Sequence, residues 1–146
     1  MRVTTWAEYG LLVAVHLAKR GQDGPVPARD VAEREHLPVD FVEQILLRLR
    51  RAQLVESRRG ARGGYVLARS PDEVSVCDVL DATEHRTFEV NCDVRPVDEA
   101  RCSEGVDCPV RPVWQELRRR IDTFLGSVSV ADLARPEAEV RELVRL

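Results

Sequence analysis

An amphipathic helical segment that runs straight into a glycine-rich, basic hairpin constrains this 146-residue chain more than any other feature. In residues 39–52, Phe41, Val42, Ile45, Leu46 and Leu49 fall on one arc at about 100° per residue, with Asp40, Glu43, Gln44, Leu47, Arg48 and Arg51 on the other. Residues 28–35 form a shorter helical segment with Val31 and Ala32 inward. It ends at His36-Leu37-Pro38, because the residue before a proline avoids the helical region. Two helices joined by a short turn, the second polar on its outer face, predict a helix-turn-helix with residues 39–52 as the helix that enters a groove.

Residues 54–58 and 65–68 are strand-like, and Arg59-Gly60-Ala61-Arg62-Gly63-Gly64 between them supplies the glycines that a hairpin turn needs. A wing therefore follows the helix pair without a gap. Residues 48–69 hold seven arginines and a single acid, Glu56, whereas a merely solvated surface mixes its signs. Such a run is the electrostatic footprint of a nucleic-acid partner, and Arg59 and Arg62 at the hairpin tip can reach a phosphate backbone or a minor groove. A nucleotide-phosphate loop needs a helix directly behind its glycines, and here the strand Tyr65-Val66-Leu67 follows.

The net charge of −3 conceals a division. Residues 1–69 carry 12 Lys/Arg against 8 Asp/Glu, and residues 70–146 carry 10 against 17, so the two parts suit different partners. The expected organisation is a winged helix-turn-helix domain over 1–69 and a loop with a long helix over 70–146, mainly α with a small β-hairpin. Thr5, followed three residues later by Glu8 and then by an apolar stretch, predicts a capping box at the start of a first helix. His16 reads as an ordinary helix-face histidine. Residues 74–84 are helical with Val76, Val79 and Leu80 inward, and Cys77 among them reads as a small buried hydrophobe. Residues 110–128 form a long amphipathic helix whose stripe of Trp114, Leu117, Ile121, Phe124 and Leu125 is wider than so small a domain can cover. A second copy of this helix is the natural partner, with packing back on the chain's own domain as the alternative. Residues 130–133 add one turn, and 137–146 are a terminal helix or a frayed tail.

Residues 85–107 show no periodicity. This acidic loop, with the residue just beyond it, carries Cys92, Cys102 and Cys108 spaced C-x9-C-x5-C, and a loop of that length is usually functional or disordered. A content of 44% apolar and 32% charged residues is that of a globular protein, no apolar run approaches a membrane span, and the first residues lack a secretory pattern. A cytoplasmic location is expected. Reducing conditions there disfavour a disulfide framework, which leaves metal binding, redox chemistry or burial for the cysteines. Thiolates are the soft donors that iron–sulfur clusters favour, whereas structural zinc prefers paired C-x2-C hairpins that neither spacing offers. No placed acid, base or nucleophile accompanies the triad, so an enzyme is not expected.

Taken together, the opening Met1-Arg2-Val3-Thr4-Thr5-Trp6-Ala7-Glu8-Tyr9, Phe41-Val42-Glu43-Gln44, Leu49-Arg50-Arg51-Ala52-Gln53-Leu54-Val55, the hairpin tip through Tyr65, the three cysteines and Cys108-Pro109-Val110-Arg111-Pro112-Val113-Trp114 resemble the IscR/NsrR/RirA family of winged-helix repressors. The resemblance spans nearly the whole chain. It implies a homodimer through the long helix, an iron–sulfur cluster (2Fe-2S, with 4Fe-4S as the alternative) on Cys92, Cys102 and Cys108, base reading by Glu43 and Gln44, and a minor-groove contact by Arg59. In two places the chain departs from the family pattern. The first cysteine spacing is longer than in the cluster-biogenesis regulator, and Arg111 replaces the histidine that there follows the last cysteine. Glu8 stands where nitric-oxide-sensing members carry an acidic ligand from the partner subunit, which makes it the first candidate for a fourth ligand. His36, His85 or an exogenous thiol or water are the alternatives.

The expectation is a homodimeric regulator of a pseudo-palindromic DNA operator, its affinity set by an iron–sulfur cluster that senses iron, cluster supply, nitric oxide or redox state. A cluster-free thiol redox regulator, and a metal-trafficking protein that never meets DNA, are the rivals.

Overall fold

In the computed structural model, which describes residues 3–84, 98–103 and 105–145, the first helix is α1 (Thr5–Arg20). Thr4 is extended, and its side-chain oxygen accepts the Trp6 N–H at 3.2 Å, so Thr4 and not Thr5 is the cap. Of two adjacent threonines, the one outside the helix takes that role. The shift removes Glu8 from the expected capping box: it lies exposed in the first turn, its own N–H bonded to the Thr4 carbonyl. Ala7, Gly10, Val13, Ala14 and Leu17, three or four residues apart or neighbours on one face, are buried.

The helix-turn-helix forms as expected. α2 (Ala28–Glu35) stops at His36, whose left-handed backbone (φ 54°, ψ 40°) turns the chain before Pro38 starts α3 (Val39–Arg51). Val42, Ile45, Leu46 and Leu49 of α3 are fully buried, each contributing about 1.5–3 kcal/mol by leaving water. His16 departs from the expectation: it is buried, and its Nδ1 lies 2.6 Å from Glu35 Oε1, which ties α1 to α2 through the core.

The wing pairs β1 (Val55–Arg58) with β2 (Gly64–Leu67) in antiparallel register, Val55 opposite Leu67 and Arg58 opposite Gly64. At the tip Gly60 has φ 127°, open to glycine alone, and its carbonyl accepts the Gly63 N–H at 3.0 Å. The segment before α2 adds a rung, because Val26 and Tyr65 exchange two backbone hydrogen bonds of 2.9 and 2.8 Å. Gly64 is needed there, since a Cβ would collide with the backbone of Val26.

The second half returns to the same core. α4 (Val76–Thr83) starts at a Ser75/Asp78 capping box and lies against α1 and α3. Among the described residues of the segment 85–107, expected to be structureless, a short helix occurs, α5 (Glu99–Cys102), capped by Asp98 accepting the Arg101 N–H at 2.7 Å. The long helix is α6 (Arg111–Ser127), followed by α7 (Val130–Leu133) and α8 (Glu137–Leu143), which resolves the choice at the C-terminus in favour of a helix. Val76 N–H donates to the Val128 carbonyl and Val130 N–H to the Val74 carbonyl, both at 2.8 Å, so the end of α6 is stitched to the start of α4. Val74 and Val130 are both fully buried in the main core.

Candidate functional site

The polar side of α3 presents Asp40, Glu43 and Gln44 on its first turns and Arg51 on its last, all exposed. Arg59 and Arg62 are exposed in the turn between β1 and β2. Arg48 stands apart. It is half-buried, its guanidinium carbon lies 3.8 Å from the centroid of the Trp6 ring, and Nη1 donates to the carbonyl of Thr83. The helical period puts it on the polar arc, but tertiary contacts draw its head inward.

Two of the three triad cysteines are described, both half-buried: Cys102 at the end of α5 and Cys108 just ahead of α6. Cys92 and His85 lie outside the described residues. Hydrogen bonds to the Cys108 sulfur from the Val110 and Arg111 N–H groups at the start of α6 lower its pKa from the ordinary value, and the charges of Arg111 and Arg101 add to this. Arg111 also donates to the carbonyls of Cys102 and Ser103, at 3.4 and 3.1 Å. It thus straps α5 to the head of α6, a bracing role that is not legible in the sequence, where Arg111 stands only in place of a histidine. No local pattern signals such a contact.

Cys77 behaves differently. It is half-buried, not enclosed as expected, with its Sγ 3.8 Å from Asp81, and burial followed by the charges of Asp81, Asp122 and Asp78 raises its pKa. It is a poor thiolate. Among the described residues no group of three or more His, Cys, Asp or Glu side chains gathers as a metal site. The donor chemistry nonetheless fits an iron–sulfur group: soft sulfur ligands, one already biased to the thiolate by backbone N–H groups of the kind that stabilise cluster sulfurs.

α6 buries no residue fully. Leu125 packs on Ala7, Val76, Leu80 and Val128, and Leu117 and Ile121 are half-covered, but Val113 is 61% exposed, Trp114 39% and Phe124 38%. The expected stripe is present, and this chain alone leaves much of it in solvent.

A helix-turn-helix with a basic antiparallel wing directly behind it defines a winged-helix DNA-binding protein. The chain belongs to the Rrf2 family, described as iron-dependent transcriptional regulator, which it matches over residues 3–136. The HTH-type transcriptional regulator IscR of Xenorhabdus nematophila is 33% identical over 135 residues, 92% of this chain and 80% of that one. CymR, the global cysteine regulator of B. subtilis, superposes with a TM-score of 0.75 at 31% identity, covering 92% of this chain and 96% of that one. IscR of T. potens gives 0.73 at 29% identity, covering 100% and 93%. The chain is a helix-turn-helix transcriptional regulator, not an enzyme. Among the described residues no helix is long and apolar enough to cross a membrane.

Proposed function

We propose that this regulator acts as a cytoplasmic homodimer whose affinity for a pseudo-palindromic operator is set by an iron–sulfur cluster held by Cys92, Cys102 and Cys108. The observation that carries the reading is Cys108 at the head of α6, its thiolate favoured by two backbone N–H groups while Arg111 braces the neighbouring Cys102 segment. A bound cluster would supply a redox- and ligand-sensitive cross-link among the thiolates. The chain's own residues supply the rest. Asp40, Glu43, Gln44 and Arg51 face the major groove, with Glu43 and Gln44 reading base edges, while Arg59 and Arg62 take the phosphate backbone or minor groove. Trp114, Leu117, Ile121, Phe124 and Leu125 meet the same stripe of a second copy. Glu8, exposed and free of the capping-box role, offers its carboxylate across that dimer as the fourth ligand.

Anaerobic purification with absorption spectra, iron and sulfide counts and solution mass tests this reading, together with gel shifts on duplexes selected from a random-sequence pool. A coloured dimer that loses its colour with Cys92→Ala, Cys102→Ala or Cys108→Ala, but keeps it with Cys77→Ala, is expected. A colourless protein that still shifts DNA would favour a cluster-free thiol regulator, a second reading that the lowered Cys108 pKa also suits. A coloured protein that binds no DNA would favour metal trafficking.

A further inference from the structure

We propose that Arg48 couples the thiol loop to the recognition helix from behind, and is not itself a DNA contact; this rests on the cluster reading above. Arg48 is on α3, yet its guanidinium holds two distant parts of the chain at once. Its face covers the Trp6 ring at 3.8 Å, and its Nη1 donates to the Thr83 carbonyl. Trp6 is in the first turn of α1, two residues before Glu8, and is itself stacked on Phe41 of α3 with centroids 4.1 Å apart and planes 29° apart. Thr83 is the last residue of α4, two before the loop that carries the cysteines begins.

Two of the routes by which the thiol site would enter the DNA-binding domain, through the first turn of α1 and through the end of α4, therefore converge on one side chain. The Thr83 carbonyl belongs to the last turn of α4, where helix carbonyls lack intrahelical partners, and a cationic donor there completes the cap. The end of α4 cannot absorb a displacement by closing on α1, because Gly10 and Thr83 are already packed without room for a Cβ. A displacement of the last turn of α4 is passed instead to Arg48. A planar guanidinium that must stack on one partner and donate to another responds as a unit, and it sits on the helix that reads DNA. A DNA role would require it to give up both partners.

The test compares operator affinity of cluster-loaded and cluster-free protein, using a duplex selected by the wild type from a random-sequence pool, alongside the absorption spectrum and the thermal melt. The wild-type ratio is expected in the range of ordinary allosteric couplings, roughly 5- to 150-fold. In Arg48→Ala the ratio should fall toward one with spectrum and iron content retained. Arg48→Lys keeps the charge and the stem but not the planar fork, so it decides the matter should the alanine variant fold poorly, and the same fall is expected. An undiminished ratio in either variant overturns the proposal. So does equal weakening of both forms with the salt slope reduced by about one, the signature of a phosphate contact. A wild type that holds no cluster, or binds DNA equally in both forms, overturns the underlying reading instead, and this proposal with it.

Discussion

Gly10 and Thr83 meet so closely that a Cβ on Gly10 would lie 2.6 Å from the Thr83 Cγ2. Thr83 is buried and its hydroxyl is committed to the Val79 and Leu80 carbonyls, at 2.9 and 3.3 Å, so it has little freedom to yield. Gly10→Ala sets an overpacking cost of about 1–3 kcal/mol against a helix-propensity gain of about 1 kcal/mol. A net loss of about 1 kcal/mol is expected in chemical denaturation. Thr83→Ser removes the clashing methyl, so the double variant should recover part of that loss; strictly additive losses would show that the contact is not limiting.

Arg59→Ala should weaken operator binding by about 1–3 kcal/mol while fold and solution mass stay unchanged, because the exposed tip of a hairpin has little packing to lose. The logarithm of wild-type affinity should fall with the logarithm of salt at roughly −0.9 per neutralised phosphate. Titrations over a range of salt check both, and an Arg59→Ala affinity equal to wild type would take the wing off the DNA.

The thiol environments of Cys108 and Cys77 should separate by pH. Backbone N–H groups hold Cys108 below the ordinary cysteine range, whereas burial and three aspartates push Cys77 above it. Because the thiolate is the nucleophile, alkylation of Cys108 in cluster-free protein should rise through its midpoint at lower pH than alkylation of Cys77. Mass-resolved labelling with iodoacetamide gives both profiles, and coincident midpoints would refute the assignment.

Glu8→Gln isolates the fourth-ligand role. With Thr4 as the cap, the exposed carboxylate contributes only its interaction with the helix N-terminus, so less than about 1 kcal/mol of stability should be lost. An amide is a much poorer iron ligand, and the expected result is an altered visible spectrum with faster cluster loss. Wild-type spectrum and kinetics would turn attention to His36, His85 or a non-protein ligand.

Elements that rest on local pattern were legible in the sequence. The period of Val42, Ile45, Leu46 and Leu49 located α3, Pro38 located the turn before α3, and the glycines from Gly60 to Gly64 located the hairpin. What the sequence hid depends on contacts between remote residues or on a choice between neighbours. Thr4 and Thr5 are chemically equal candidates, and only the backbone angle decides between them. Arg48 obeys the helical period, yet Trp6 and Thr83, which come to it from distant parts of the sequence, determine where its head goes. The burial of His16 is hidden for the same reason, since its partner Glu35 is on another helix. α5 is a single turn set by the Asp98 cap, too short for any periodicity to appear.

The unequal attachment of α6 at its two ends, among the described residues, has a mechanical consequence. Its far end is sewn to α4 and buried at Val128, while its head around Val110, Val113 and Trp114 stands in solvent. Seventeen residues make a rod about 25 Å long, so a tilt of about 5° about the sewn end carries Cys108 through an arc of about 2 Å. Metal–thiolate bonds tolerate deviations of only about 0.2 Å. Slight angular play thus carries the sulfur through about ten times that tolerance, and the sulfur keeps its position only if the head of the rod is clasped as well, as Arg111 begins to do.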